Sequence, residues 1–147
     1  MNQDEKFMLV AIKEARLTRG PKKFGAAVVK DGKVIAKAHT TTQEKEDPTK
    51  HAEILAISKA AQKLKTRRLS GCVLYASCEP CMMCVGAILW ARINELVYAM
   101  NREDSFGSFA DSSHWHMGIE ELVPEGFVIR RGVLRQVAKE KFLKKST

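Results

Sequence analysis

The sequence predicts an α/β protein, a three-layer α/β/α sandwich around a mixed five-stranded sheet. Short β-type runs alternate with amphipathic helical runs along the chain, the pattern that lays helices on both faces of a sheet. Asp31-Gly32 separates two of the β-type runs and is a strong hairpin signal. With 147 residues, 45% of them apolar, the chain is about one domain long and can bury a single core. No internal repeat, low-complexity tract or linker divides it, so residues 1–147 read as one domain.

The elements follow in order. Between Asp4 and Thr18, the apolar residues Phe7, Met8, Ala11, Ile12 and Ala15 recur at helical spacing, and Arg19-Gly20-Pro21 breaks the run. Gly25 to Lys30 and Val34 to His39 are the hairpin strands. Thr40 to Pro48 is polar and lacks a period, so it reads as a loop. His51 to Leu64 is alanine-rich, with one apolar face, and reads as a helix. Cys72 to Ala76 reads as a buried strand, Cys81 to Ala91 as a helix and Glu95 to Met100 as a further strand. Asn101 to Met117 is expected to be a loop or a partly ordered segment. Phe127 to Arg131 completes the sheet, and Leu134 to Leu143 forms the terminal helix.

Composition narrows the function classes. No run approaches the roughly 18 consecutive apolar residues of a membrane span. Met1 to Gly20 lacks the apolar block and cleavage site of a secretory signal, so the expected compartment is the cytoplasm. There, four cysteines with a Cys-x-x-Cys spacing read as metal or redox chemistry rather than as disulfides. The net charge of +8 is compatible with nucleic acid, but the doublets Lys22-Lys23, Arg67-Arg68, Arg130-Arg131 and Lys144-Lys145 are spread along the chain. Short charge runs are usually solvated faces, and charge by itself does not make an RNA enzyme.

The residues that carry chemistry are His51, Glu53, Cys81 and Cys84. Structural zinc sites close with four protein ligands, whereas catalytic ones keep a position open for water. His51, Cys81 and Cys84 supply three ligands, and the fourth residue at hand is a carboxylate, suited to moving protons. Asp47-Pro48-Thr49 starts the His51 helix and Pro80 starts the Cys81 helix, so two positive helix ends face the site and favour thiolates. Glu53 is expected to be catalytic, taking a proton from the attacking water and passing it to the substrate ring. A zinc ribbon would need a second ligand pair near His51, and there is none. A thioredoxin-like redox pair would leave His51 and Glu53 without a purpose. Cys72 reads as a small core residue, Cys78 as a neighbour of the ligands, and His39, His114 and His116 as surface or substrate-loop residues. His-x-Glu followed by Pro-Cys-x-x-Cys is the signature of zinc deaminases that act on bases.

Beyond the ligands, the runs from Asp47 to Glu53 and from Leu74 to Ile88 resemble the cytidine and deoxycytidylate deaminase superfamily. The resemblance extends from Phe24-Gly25-Ala26 to the terminal helix. Within it, Phe24-Gly25-Ala26, Trp90-Ala91-Arg92 and Phe109-Ala110-Asp111-Ser112 are similar to the bacterial-type guanine deaminase branch. That resemblance implies a cytidine deaminase-like fold, one zinc ion per chain, a homodimer and a small nucleobase substrate, guanine or a related aminopurine or aminotriazine. It implies substrate-binding roles for Phe24, Thr40, Ala52, Trp90 and Asp111, with the Phe stacked on the base and the Trp and Asp supplied partly across the dimer interface. Read without the resemblance, Phe24 is a core residue and Trp90 a packing or interface residue.

The tRNA adenosine deaminase branch shares the Asp-Pro-Thr and Cys-Glu-Pro-Cys runs, and typically has His-Ser-Arg where this chain has Trp90-Ala91-Arg92. Both branches usually place an asparagine where this chain has Thr40, whose hydroxyl cannot reproduce a two-point amide contact. Lys22-Lys23 also separate Pro21 from Phe24, which the family usually keeps adjacent. A tRNA adenosine, a cytosine or nucleoside, and a silent scaffold that keeps zinc for folding are the competing readings. The retained Glu53 argues against the last.

Overall fold

A computed structural model describes residues 1–106 and 117–143. Its elements are α1 (Gln3–Ala15), β1 (Gly25–Lys30), β2 (Lys33–His39), α2 (Ala52–Leu64), β3 (Cys72–Cys78), α3 (Met82–Trp90), β4 (Glu95–Met100), α4 (Glu103–Phe106), α5 (Ile119–Leu122), β5 (Val128–Arg130) and α6 (Arg135–Leu143). The sheet order is β2-β1-β3-β4-β5. β1 pairs antiparallel with β2 and β3, while β3–β4 and β4–β5 are parallel, so the sheet is mixed as expected. The hairpin turns on Asp31 and Gly32, both at positive φ (50° and 73°), as a two-residue primed turn requires.

Alternation along the strands splits the core. Ala26 and Val28 of β1 face a cluster with Ala52, Ala56, Val85 and Ile88, so α2 and α3 cover one side of the sheet. Ala27 and Val29 face Phe7, Met8, Ile12, Ala138 and Phe142, so α1 and α6 cover the other. This is the three-layer sandwich. Asn2 starts α1 through a capping box with Glu5, and Gly25 lets α1 press directly on β1. A Cβ at Gly25 would stand 2.0 Å from the Ala11 carbonyl oxygen.

The expected boundaries differ from the observed ones at several ends. α1 stops at Ala15, where the chain turns, rather than continuing to Thr18. β3 runs on to Cys78, carried by its parallel pairing with β4. The expected loop from Asn101 contains the short helix α4, whose carboxylate Asp104 accepts from the Asn101 backbone N–H at 2.9 Å. α5 is too short to show a period in sequence. Two charge bridges fasten the layers. Asp4 accepts from Tyr75 (2.7 Å) and from Arg130, while Asp104 receives a forked pair of bonds from Arg135 at 2.9 and 2.8 Å.

Candidate active site

The N-terminal ends of α2 and α3 meet at one place. His51 is the N-cap of α2 and Cys81 the N-cap of α3, and neither side chain caps its own helix, so both turn to the space between. Asp47 prepares this entry by accepting from the Thr49 N–H (2.9 Å) and hydroxyl (2.6 Å), a local turn that launches α2. Cys84 follows in the first turn of α3 and is fully buried.

His51 Nδ1 lies 3.7 Å from Cys81 Sγ and 3.4 Å from Cys84 Sγ, and the two sulfurs are 3.7 Å apart. A tetrahedral ion with zinc–sulfur bonds of about 2.3 Å and zinc–nitrogen bonds of about 2.0–2.1 Å sets ligand separations of about 3.8 Å between sulfurs and about 3.6 Å from sulfur to nitrogen. The three atoms therefore fit one metal ion, and they form a group that could hold one. The hydrogen bond from Cys84 holds Cys81 as a thiolate, with a pKa of about 4, against the opposing effect of burial and with help from His51. The same contact, with burial, pushes the Cys84 thiol up. Burial works against a proton on His51, but the Cys81 sulfur and the Glu53 charge outweigh it and raise its pKa.

Glu53 is 7% exposed. Burial raises its carboxyl pKa, opposed in part by the His51 charge. A carboxyl that gains and loses a proton at reduced cost is the kind of group that general acid–base chemistry uses.

A cavity of about 580 Å³ opens over this cluster, lined by Phe24, Thr40, His51, Glu53 and Cys81 among others. Its size falls in the range of small-molecule pockets. Thr40 is buried at the wall, and its backbone N–H donates to the Phe24 carbonyl at 3.0 Å. The Phe24 ring is stacked on Phe142 of α6, with centroids 5.4 Å apart. Ala52 is fully buried in the core cluster and Trp90 is 80% exposed at the end of α3; neither lines the cavity. Asp111 lies outside the described residues, as do His114 and His116.

The cavity also uses residues that the sequence motifs do not single out. Arg102 is buried, its backbone N–H donates to Glu79 Oε1 at 3.2 Å and its guanidinium lies 3.6 Å from Glu79 Oε2. It also donates to the Met117 carbonyl at 2.9 Å. Ser105 and Cys78 complete that wall, and burial pushes the Cys78 thiol well up. Glu79 sits inside the Cys-Glu-Pro-Cys run, but only a contact across more than twenty residues of chain brings Arg102 to it. His39 is not at the cavity wall: its Nδ1 lies 3.2 Å from Glu14.

A family model described as MafB19-like deaminase matches residues 1–143. A tRNA-specific adenosine deaminase of Aquifex aeolicus is 43% identical over 65% of this chain and 64% of its own length. A guanine deaminase of Bacillus subtilis is 43% identical over 69% of this chain and 65% of its own. The match thus spans a little under two thirds of these curated relatives. Among solved structures, a guanine deaminase from Nitrosomonas europaea superposes with a TM-score of 0.83 at 30% identity, over 94% of this chain and 81% of that one. A chain from a study of A-to-I editing by tRNA:A34 deaminases superposes with a TM-score of 0.74 at 33% identity, over 92% and 98%. A His-Cys-Cys group at two facing helix ends, beside a buried glutamate and under a cavity, agrees with the family match: the chain belongs to the MafB19-like deaminases.

Proposed function

We propose that the protein is a hydrolytic deaminase that removes the exocyclic amine of a nucleobase, guanine or a related aminopurine or aminotriazine, and releases ammonia. The observation that carries this reading is the His51, Cys81 and Cys84 triangle with buried Glu53 in the wall of the same cavity. His51, Cys81 and Cys84 would hold one zinc ion, which when bound supplies Lewis acidity that brings the pKa of water towards neutrality. Glu53 takes a proton from the attacking water and delivers it to the base, so that water adds at the amine-bearing ring carbon and ammonia leaves. Phe24 stacks on the base and Thr40 offers its hydroxyl to the base edge. Residues 1–147 act as one deaminase domain in a cytoplasmic setting.

The reading extends to a homodimer through the outer face of α3. Met82, Met83 and Trp90 are exposed there, and a Cβ at Gly86 would meet nothing within 4 Å, so a second backbone can approach closely. Trp90 and Asp111 would then serve the cavity partly across the interface. A monomeric mass at micromolar concentration would count against this.

Adenosine in tRNA is the second reading, supported by the Aquifex aeolicus relative. Incubating pure protein with guanine, adenine, cytosine, their nucleosides and a tRNA anticodon stem-loop, and measuring ammonia, tests both. Release from guanine alone supports the first reading, inosine in the stem-loop supports the second, and no release from any substrate defeats the deaminase reading.

A further inference from the structure

The four basic doublets of the sequence have different surroundings in the fold. Arg130 donates to Asp4 at 2.7 Å and lies 2.8 Å from Glu95, and Arg131 pairs with Glu120. Lys23 is buried and donates to the Thr18 carbonyl, and Lys22 lines the cavity. Lys144-Lys145 lie outside the described residues. Arg67-Arg68 are exposed in the turn between α2 and β3, and no ion pair among the described residues includes either.

Along the chain on either side of Arg67-Arg68 the charge is of one sign. Residues 54–78 contain Lys59, Lys63, Lys65, Arg67 and Arg68 and no acid, and residues 80–94 add Arg92 and again no acid. All six cations are exposed. The Leu69 N–H donates to the Ala91 carbonyl at 2.7 Å, which sets the arginine turn beside Arg92. Lys65, at φ 54°, closes α2, and the Arg68 N–H donates to the Thr66 hydroxyl at 3.1 Å, so the turn has a defined shape. Lys59 and Lys63 are one helical turn apart, a repulsive spacing. The partial negative charge at the end of α2 accounts for Lys63 and Lys65, but it fades within the last turn. Lys59 donates to the Lys37 carbonyl at 3.3 Å, and neither contact accounts for Arg67, Arg68 or Arg92.

We propose that this end of the molecule is a docking surface for nucleic acid, held through its phosphates. Arginine forks match phosphate oxygens, and displaced counterions drive such binding. α2 has 13 residues, about 20 Å of helix, and His51 stands at its other end. A mononucleotide in the cavity cannot reach the cations, and several exposed cations together match a row of phosphates rather than a single one, so the partner is a polynucleotide. The proposal does not rest on the deaminase reading, because binding is measured without turnover.

The test is fluorescence anisotropy of a labelled RNA hairpin over about 50–200 mM salt. Wild type should bind with a steep salt dependence. Arg67→Ala/Arg68→Ala should bind about tenfold more weakly, with a slope shallower by about 1.4–1.8, since two phosphates are no longer neutralised. Arg131→Ala, which removes an arginine paired with Glu120, should bind like wild type. All three proteins should melt alike and turn over a free base alike. Equal affinity and slope for the double variant would overturn the proposal, as would wild type that does not bind the hairpin. So would tighter, Arg67/Arg68-dependent binding to phosphatidylserine vesicles than to RNA, which would make the surface a membrane contact.

Discussion

The two ends of α2 are built on opposite principles. At its start, buried Glu53 and half-buried His51 join Cys81 and Cys84 at the floor of the cavity. At its end, Lys65 turns the chain and six cations stand in solvent with no acid beside them in sequence. In the dry end, charges act strongly on one another because little water screens them. Charges at the wet end are weak singly, act together and fade with salt. The helix itself contributes to both, since its positive end favours thiolates and its negative end accepts Lys63 and Lys65. A net charge of +8 is therefore not an even property of the surface. It is neutralised in pairs around α1, β5 and α6, and left without acids beside it in sequence in residues 15–30 and in the residues 54–78 and 80–94 that meet at one end of α2.

The comparison predicts that each end can be disabled alone. The largest effect should come from Cys81→Ser/Cys84→Ser. Metal analysis should fall from one zinc per chain to near none, and deamination should vanish with it, while the hairpin still binds. Full zinc occupancy in this double variant would remove the cluster from its role.

Glu53→Gln should come next. It keeps the side-chain shape but cannot take up a proton, so turnover should drop by at least about 10²–10⁴-fold. Zinc content and melting temperature should stay near wild type. Substantial residual turnover would show that another group moves the proton.

Much of the dry end was legible in the sequence, because its residues are close neighbours in two short runs. His51-Ala52-Glu53 and Pro80-Cys81-Met82-Met83-Cys84 each sit at a helix start, where local spacing fixes geometry. β1 and β4 were legible to the residue for a similar reason, as apolar runs with clear ends. The far wall of the cavity was not, since Arg102 reaches Glu79 only through the β3–β4 pairing. Nor was the stack of Phe142 behind Phe24, which joins opposite ends of the chain. The wet end was visible as a doublet but not as a patch. Only the fold shows that Arg130-Arg131 are neutralised and that Arg67-Arg68 have Arg92 beside them.

Thr40→Asn should have a moderate effect and sharpen the dry end. A side-chain amide at the buried cavity wall adds a second polar contact to the base edge. One net hydrogen bond contributes about 0.5–1.5 kcal/mol, so the guanine-to-adenine ratio of kcat/KM should rise by about 2-fold to 13-fold. An unchanged ratio would mean that Thr40 does not face the base edge.

The smallest effect should come from Arg135→Ala, which asks whether any lost cation weakens the wet end. Arg135 is paired rather than free: its guanidinium makes a forked contact with Asp104 and lowers that carboxyl's pKa. A carboxylate whose folded pKa is depressed adds stability above its unfolded value, and that stability is lost as pH falls through the folded one. Wild type should therefore melt slightly higher than the variant at pH 7. The gap should close below the ordinary aspartate value of about 3.9, once Asp104 is protonated in both. Lys139, 3.8 Å from Asp104, will keep part of the effect and make the gap small. Hairpin affinity should match wild type, because Arg135 belongs to α6, on the face of the sheet opposite α2, and no phosphate contact is lost with it. A tenfold loss of RNA binding in this variant, equal to that of Arg67→Ala/Arg68→Ala, would mean that total charge and not the unpaired end of α2 attracts the polynucleotide.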